Sequence, residues 1–396
     1  MTTNNLKAVF YVSISILLYS CNKESINEIE IQETLSLQAS ESDYLDYGIY
    51  WFNSENESTK GYDEKNDKKI EVSSSYYDAS KPTVIYFHGW QLDSSIDEYN
   101  REDFQFTDSE YDTNINTVEI WKRKGWNVGI FYWNQFADES ELKDAEAKIW
   151  SINGPKNMRY RLSDGSYSEE QSPTSSLAQE AYNQISEIIA ENTSNDIRFV
   201  GHSLGNQLAS YTAFLFSEAI SNNEIPLEIM PNRLELLDPF WSKDAKNYLT
   251  DYNGDGSNDW TGERVRWYID EMIKKNNLAT TWYSSSLILD AGIGDQNESL
   301  KDIVTYQSQR YWYVDAISIG EKHVNTRHSY FWSLEFDAPL EVKVNWLLQR
   351  KETGNTTASA STTIERIREM MGDENYWDQV EGRYTPSPED DKFQIK

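Results

Sequence analysis

The sequence predicts one α/β domain built on a mostly parallel sheet, with helices on both faces and a lid-like insertion. Three observations predict it. The stretch Gly201-His202-Ser203-Leu204-Gly205 follows a β-rich lead-in at 197–200 and precedes an amphipathic run at 207–220, giving strand, tight turn and helix in succession. Val84-Ile85-Tyr86-Phe87-His88-Gly89-Trp90 reads as a buried apolar strand running into a turn. Arg233-Leu234-Glu235-Leu236-Leu237-Asp238-Pro239 ends an apolar strand in an acid, and the Pro stops further ladder pairing. A chain of 396 residues is long enough for one large domain with insertions.

Taken in order, the chain opens with Lys7 and an apolar run at 8–19 that ends in Leu18-Tyr19-Ser20-Cys21. Its 12 residues fall short of the ~20 needed to span a bilayer. They read as an export signal over 1–20. The closing tetrapeptide resembles the bacterial lipoprotein box, which implies lipidation of Cys21 and an extracytoplasmic protein anchored to a bacterial membrane. A plain signal peptide with a free Cys is the alternative. Residues 21–45 are polar and acidic and predict a flexible tether. The body of the domain is expected over 46–345, and 346–396 as a tail with a short helix at 364–371.

Within the body, 47–52 and 69–77 predict an opening hairpin around a charged turn. A helix ending at 121–124 leads to a strand at 125–133. The long segment 136–177 carries Gly154-Pro155, Asp164-Gly165 and Ser172-Pro173, and insertions of this length tend to be lids or binding loops. A helix at 178–190 leads into the Ser203 strand. Beyond Asp238 come a helix near 265–275, a strand near 279–285 and a last strand at 310–317.

Cys21 is the single cysteine, so no disulfide can form within the chain and stability must come from a packed core. With 66 acidic and 36 basic residues the net charge is −30, which repels nucleic acid and anionic lipid. Neutral substrates suit it better.

Chemistry points to Ser203. Glycines on both sides permit a turn too tight for side chains, and the following helix offers unpaired N–H groups to a developing oxyanion. A general base must come from four histidines. His202 sits on the turn itself and His88 lies well before the nucleophile, which leaves His323 and His328 for the order Ser, acid, His. The sequence favours His328, because Tyr330-Phe331-Trp332 would pack its loop onto the core. His323 stands among Glu321, Lys322 and Asn325, which read as solvated loop. For the acid, position alone leaves Asp238 and Asp290 open, since each closes a candidate strand.

Phe87-His88-Gly89-Trp90, the Gly201-to-Gly205 stretch and Leu236-Leu237-Asp238-Pro239 together resemble the pancreatic-type lipase branch of the α/β-hydrolases. The resemblance spans roughly 80–335. It implies Ser203 as nucleophile, Asp238 as acid, and an oxyanion hole from the backbone N–H groups of Trp90 and Leu204. His328-Ser329-Tyr330 is similar to the run that follows that family's His. The expected activity is cleavage of carboxylic esters through an acyl-enzyme, on an ester or lipid substrate. A non-catalytic, lipid-anchored glycan- or lipid-binding protein on the same scaffold is the alternative. The chain departs from the family in lacking its disulfides, and the 68 residues after His328 are too few for its C-terminal β-sandwich.

A second constellation places Asp251, Asn253, Asp255 and Asp259 at alternate positions, with Gly256 at the sixth. Oxygens so spaced can converge on a hard cation, and the loop resembles calcium loops of the EF-hand and dockerin type. The twelfth position is Gly262, with Glu263 one place late. A structural Ca²⁺ held by a looser site is the expectation.

Overall fold

The computed structural model describes residues 44–96, 99–252, 254–290, 294–345, 349–372 and 375–396. The expected signal, Cys21, nearly all of the tether and Asn253 lie outside them. Among the described residues no helix is long and apolar enough to cross a membrane.

Continuous apolar runs form the centre of a 12-stranded mixed sheet. Ile197–His202 lies between Thr83–Phe87 and Arg233–Leu237, parallel to both. Asn127–Tyr132 extends the parallel part beyond Thr83–Phe87, and Gly48–Phe52 closes that side antiparallel, with Ser58–Lys60 at the edge. On the other side Ala279–Ser284 and Thr305–Ser308 continue in parallel. This order, with a tight Gly-x-Ser-x-Gly turn after the central strand, is that of the α/β-hydrolase fold.

Alternate residues of each strand feed two separate cores, as the two-residue period of a strand requires. Ile85, Phe87, Phe199, Leu234 and Leu236 face one core, which the helices Leu177–Ile188, Gly205–Ser221 and Thr261–Asn276 cover. Val84, Tyr86, Val200 and Leu237 face the other, under Thr117–Arg123, Ile319–Trp332 and Ile364–Met370. The insertion folds as two helices, Asn134–Ala137 and Leu142–Trp150, and a small hairpin of Tyr160–Arg161 with Tyr167–Ser168. Its Ile149, Trp150, Met158 and Tyr160 belong to the first core.

Three local expectations differ from the structure. The opening strand pairs with Ser58–Lys60 across a short turn, while Lys68–Lys69 pairs with Tyr62–Asp63 and 70–77 forms no strand. The strand expected at 310–317 lies earlier, at Thr305–Ser308. After it Tyr311 stays buried while Trp312 turns outward, where it meets Tyr384 and Arg383 lies 3.6 Å above its ring.

The third concerns 346–396, which is no tail. Trp377–Glu381 joins the sheet beside Thr305–Ser308, followed by Lys392–Ile395, Leu340–Val344 and the edge strand Arg350–Thr356. The Ser/Thr/Ala-rich stretch at 356–363 is a buried layer on the sheet. Its carbonyls accept from side chains on the strands below: Arg233 reaches Thr362 at 2.6 Å and Ser359 at 2.7 Å, Arg198 reaches Ala360 at 2.7 Å, and Gln307 reaches Ala358 at 2.8 Å. Composition alone reads such a segment as loop; partners 50 to 160 residues away make it core.

Candidate active site

Ser203 stands where the central strand breaks into the helix Gly205–Ser221. Its φ of +54° is a left-handed conformation that Ser rarely adopts, at a cost on the order of 1–3 kcal/mol. Local packing imposes it. A Cβ on Gly205 would lie 2.0 Å from the Phe87 carbonyl oxygen, and one on Gly201 would lie 2.7 Å from the Asn206 nitrogen. The Ser203 N–H donates to the Leu237 carbonyl at 3.2 Å, and the Asn206 side chain donates to the Ser203 and Leu237 carbonyls at 3.1 Å each. The turn is thereby tied to the strand that carries Asp238.

Asp238 follows Leu237 with φ +39°, and its N–H donates to the Tyr283 carbonyl at 2.8 Å. Oδ1 accepts from the Ser285 N–H at 2.8 Å and the Ser286 N–H at 3.2 Å. Oδ2 accepts from the Ser286 hydroxyl and lies 2.7 Å from His323 Nδ1. Burial pushes this carboxyl up, but the His323 ring and the serine donors more than reverse the effect and hold it below the usual range. Asp290, the rival acid, closes the short 3₁₀ turn Ile288–Asp290; it is Asp238 that meets a histidine.

The histidine so met is His323, and this corrects the sequence choice of His328. Residues 319–332 form a helix, not a solvated loop, and His323 is only 3% exposed. Five residues along a helix turn a side chain by about 140°, so the two imidazoles leave on different faces. The His323 side carries Thr326, whose hydroxyl bonds the Ser285 hydroxyl, and the Ser285 hydroxyl also donates to the Lys322 carbonyl at 2.9 Å. His328 instead packs on Phe106 with ring centroids 4.2 Å apart, and its Nε2 accepts from Arg327 at 2.6 Å. Burial and the Arg327 charge push its pKa well down. Arg327 is itself paired with Glu102 at 2.5 Å. A ring whose acceptor nitrogen is taken by a guanidinium cannot receive a proton from Ser203. The aromatic run that drew the choice does pack on the core; it brings along the wrong face.

The other two histidines hold the frame. His202 Nε2 lies 3.0 Å from the His323 carbonyl oxygen and therefore carries the proton, and the two rings pack at 4.3 Å. Burial and the neighbouring His323 push His202 down to about 3. His88 Nε2 accepts from the Trp133 N–H at 3.0 Å, so its proton is on Nδ1, which donates to the Gly89 carbonyl at 2.9 Å. Burial pushes His88 down to about 4. Both rings are neutral at pH 7. In a trans peptide the C=O and N–H point in opposite directions. His88, by holding the Gly89 carbonyl, thus turns the Trp90 N–H away from itself.

Gly89 lies against Ser203: a Cβ there would stand 2.7 Å from Ser203 Cβ and 3.3 Å from its Oγ. Among the described residues the backbone N–H groups of Trp90 and Leu204, and the Ser203 hydroxyl, have no hydrogen-bond partner. Two free donors beside a strained Ser are what a tetrahedral oxyanion requires.

In the loop expected to hold calcium, Asp259 is buried; its Oδ2 pairs with Arg264 at 2.6 Å and its Oδ1 accepts from the Tyr252 N–H at 3.2 Å. Asp251 accepts from the N–H groups of Gly254, Asp255 and Gly256, and Asp255 accepts from that of Ser257. Among the described residues no group of three or more His, Cys, Asp or Glu side chains could hold a metal ion.

Comparison with known proteins adds little detail. No protein-family model and no curated protein matches the sequence. Among solved structures, the chain is similar to a hyperthermophilic esterase from Pyrobaculum calidifontis, at 11% identity over 81% of this chain and 96% of that one, with a TM-score of 0.31. A thermostable esterase from Pseudomonas putida is similar at 10% identity over 82% and 95%, with a TM-score of 0.26. An acylaminoacyl peptidase from Pyrococcus horikoshii is similar at 8% identity and a TM-score of 0.28, over 67% of this chain but only 34% of the peptidase. The fold assignment rests on the chain's own strand order and elbow.

Proposed function

We propose that the protein is a serine hydrolase that cleaves carboxylic esters through an acyl-enzyme. The observation that carries this is the buried His323–Asp238 pair, with Asp238 at the end of the strand next to the one that ends in the strained Ser203. In this reading Ser203 Oγ attacks the ester carbonyl while His323 Nε2 takes its proton. Asp238 keeps the proton on Nδ1 and stabilises the imidazolium, and the Trp90 and Leu204 N–H groups receive the oxyanion. The alcohol leaves with the proton from His323. Water, activated by the same His, then releases the acid. The Ser203–His323 hydrogen bond forms with substrate in place, as such bonds often tighten only in the complex. A net charge of −30 favours uncharged esters. We also read Cys21 as the site of a lipid anchor, which would hold the enzyme at a bacterial membrane facing outward.

Turnover of p-nitrophenyl esters of graded acyl length, with and without an oil interface, tests the reading and separates esterase from lipase. Hydrolysis by wild type and none by Ser203→Ala is expected. An inactive wild type across the series would favour the binding-protein alternative.

A further inference from the structure

The turn that carries Trp90 is gripped by the insertion. Asp138 Oδ1 accepts from the Asp93 N–H at 2.7 Å and Oδ2 from the Ser95 N–H at 2.9 Å. Arg161 bridges the carboxylates of Asp138 and Asp93, at 2.8 and 2.9 Å. Asp93 has φ +64°, so this part of the turn is bent into a left-handed conformation and held there. The Trp90 indole N–H donates to the Glu139 carbonyl at 2.7 Å, and the Gln91 N–H reaches the Ala137 carbonyl at 3.5 Å. Glu139 is fixed in turn: its carboxylate pairs with Lys148 at 2.7 Å and accepts from Arg159 Nε at 2.8 Å. Asp138, Glu139 and Lys148 are completely enclosed.

We propose that the insertion is a fixed clamp that sets the direction of the Trp90 N–H, with Asp138 and the Glu139 main chain as positioning groups. This rests on the reading of that N–H as an oxyanion donor. His88 fixes the Gly89 carbonyl from one side of the peptide, and the insertion fixes the Trp90 side chain and the turn beyond it from the other. A donor held at both ends needs no reorganisation as charge develops, which is where electrostatic catalysis gains most. Neither Asp138 nor Glu139 touches the reacting atoms in this account. Their effect passes through the turn.

The experiment compares wild type with Trp90→Phe, which removes the indole N–H and keeps the backbone donor, and with Asp138→Asn, whose carboxamide NH₂ faces an N–H it cannot accept from. Each is assayed with a soluble p-nitrophenyl ester and with a trifluoromethyl ketone, which adds Ser203 to form a tetrahedral oxyanion. Both variants should lose about tenfold to a hundredfold in kcat, approaching the loss of a whole donor, with KM within about twofold. Affinity for the ketone should fall in proportion to kcat. Trp90→Phe should still fold, with a melting temperature only a little below wild type, so it decides the matter alone if Asp138→Asn does not fold. Unchanged kcat and ketone affinity, even with a lowered melting temperature, would overturn the proposal. A wild type that neither turns over ester nor binds the ketone would instead remove the hydrolase reading, and the clamp's role with it.

Discussion

Lowering the pH from 7 to 5 should destabilise this protein through histidines that the fold keeps neutral. His88 is enclosed, and burial pushes it down to about 4 from an ordinary 6.5. The unfolded chain therefore takes up the proton first as pH falls through 6.5, and stability drops with it until the native ring titrates near 4. At pH 5 the difference amounts to about 1.5 pH units of one proton, or about 2 kcal/mol. His202, pushed down to about 3, adds a similar amount. Asp46, pushed down to about 2, and Asp238 do not contribute in this window, since their stabilisation is lost only below the usual carboxylate range. Asp391 and Glu235, pushed up by burial, work in the opposite direction. A variant isolates the His88 share. Urea unfolding of wild type and His88→Gln at both pH values should show wild type losing about 2 kcal/mol more than the variant. Equal losses would refute the neutral, Nδ1-protonated His88 on which the Gly89 carbonyl hangs.

Three further outcomes are expected. His323→Ala should abolish ester turnover, by up to ~10⁶-fold in kcat as for other triad members, whereas His328→Ala should keep the catalytic pH profile; kinetics on the two variants checks this. Cys21→Ala should release the protein from the membrane fraction on cell fractionation, and retention would point to the apolar segment as the anchor. If the 251–259 loop holds a structural calcium, EDTA should lower the melting temperature of wild type but not of Asp251→Ala/Asp255→Ala; a wild-type curve unchanged by EDTA and by added calcium would make the loop an ordinary acidic turn.

The elements most legible in sequence were those whose signal is local. A continuous apolar strand followed by Gly-x-Ser-x-Gly or by Asp-Pro needs no distant partner to be recognised, and the strands at Ser203 and Asp238 lie side by side as adjacent parallel strands. The choice between histidines was not local. Glu321, Lys322 and Asn325 look solvated as a string, yet on the helix Asn325 is buried, His323 meets Asp238 and Thr326 meets Ser285. Placing the two histidines on a helical wheel would have separated their faces, though not shown which one met Asp238. Ser285 and Ser286 carry no signal of their own; they matter only because Ala279–Ser284 ends beside Asp238. The C-terminal strands were hidden for a different reason. Leu340–Val344 and Lys392–Ile395 are short and charged, and they are strands because they pair with each other across a gap in sequence.

The central claim is that Ser203 is a nucleophile activated by His323. Labelling with a fluorophosphonate, followed by peptide mapping, tests it most directly. The account predicts one phosphonylated residue, Ser203, with labelling lost in Ser203→Ala, strongly slowed in His323→Ala and retained in His328→Ala. Labelling at another serine, or labelling that survives His323→Ala and fails in His328→Ala, would contradict it.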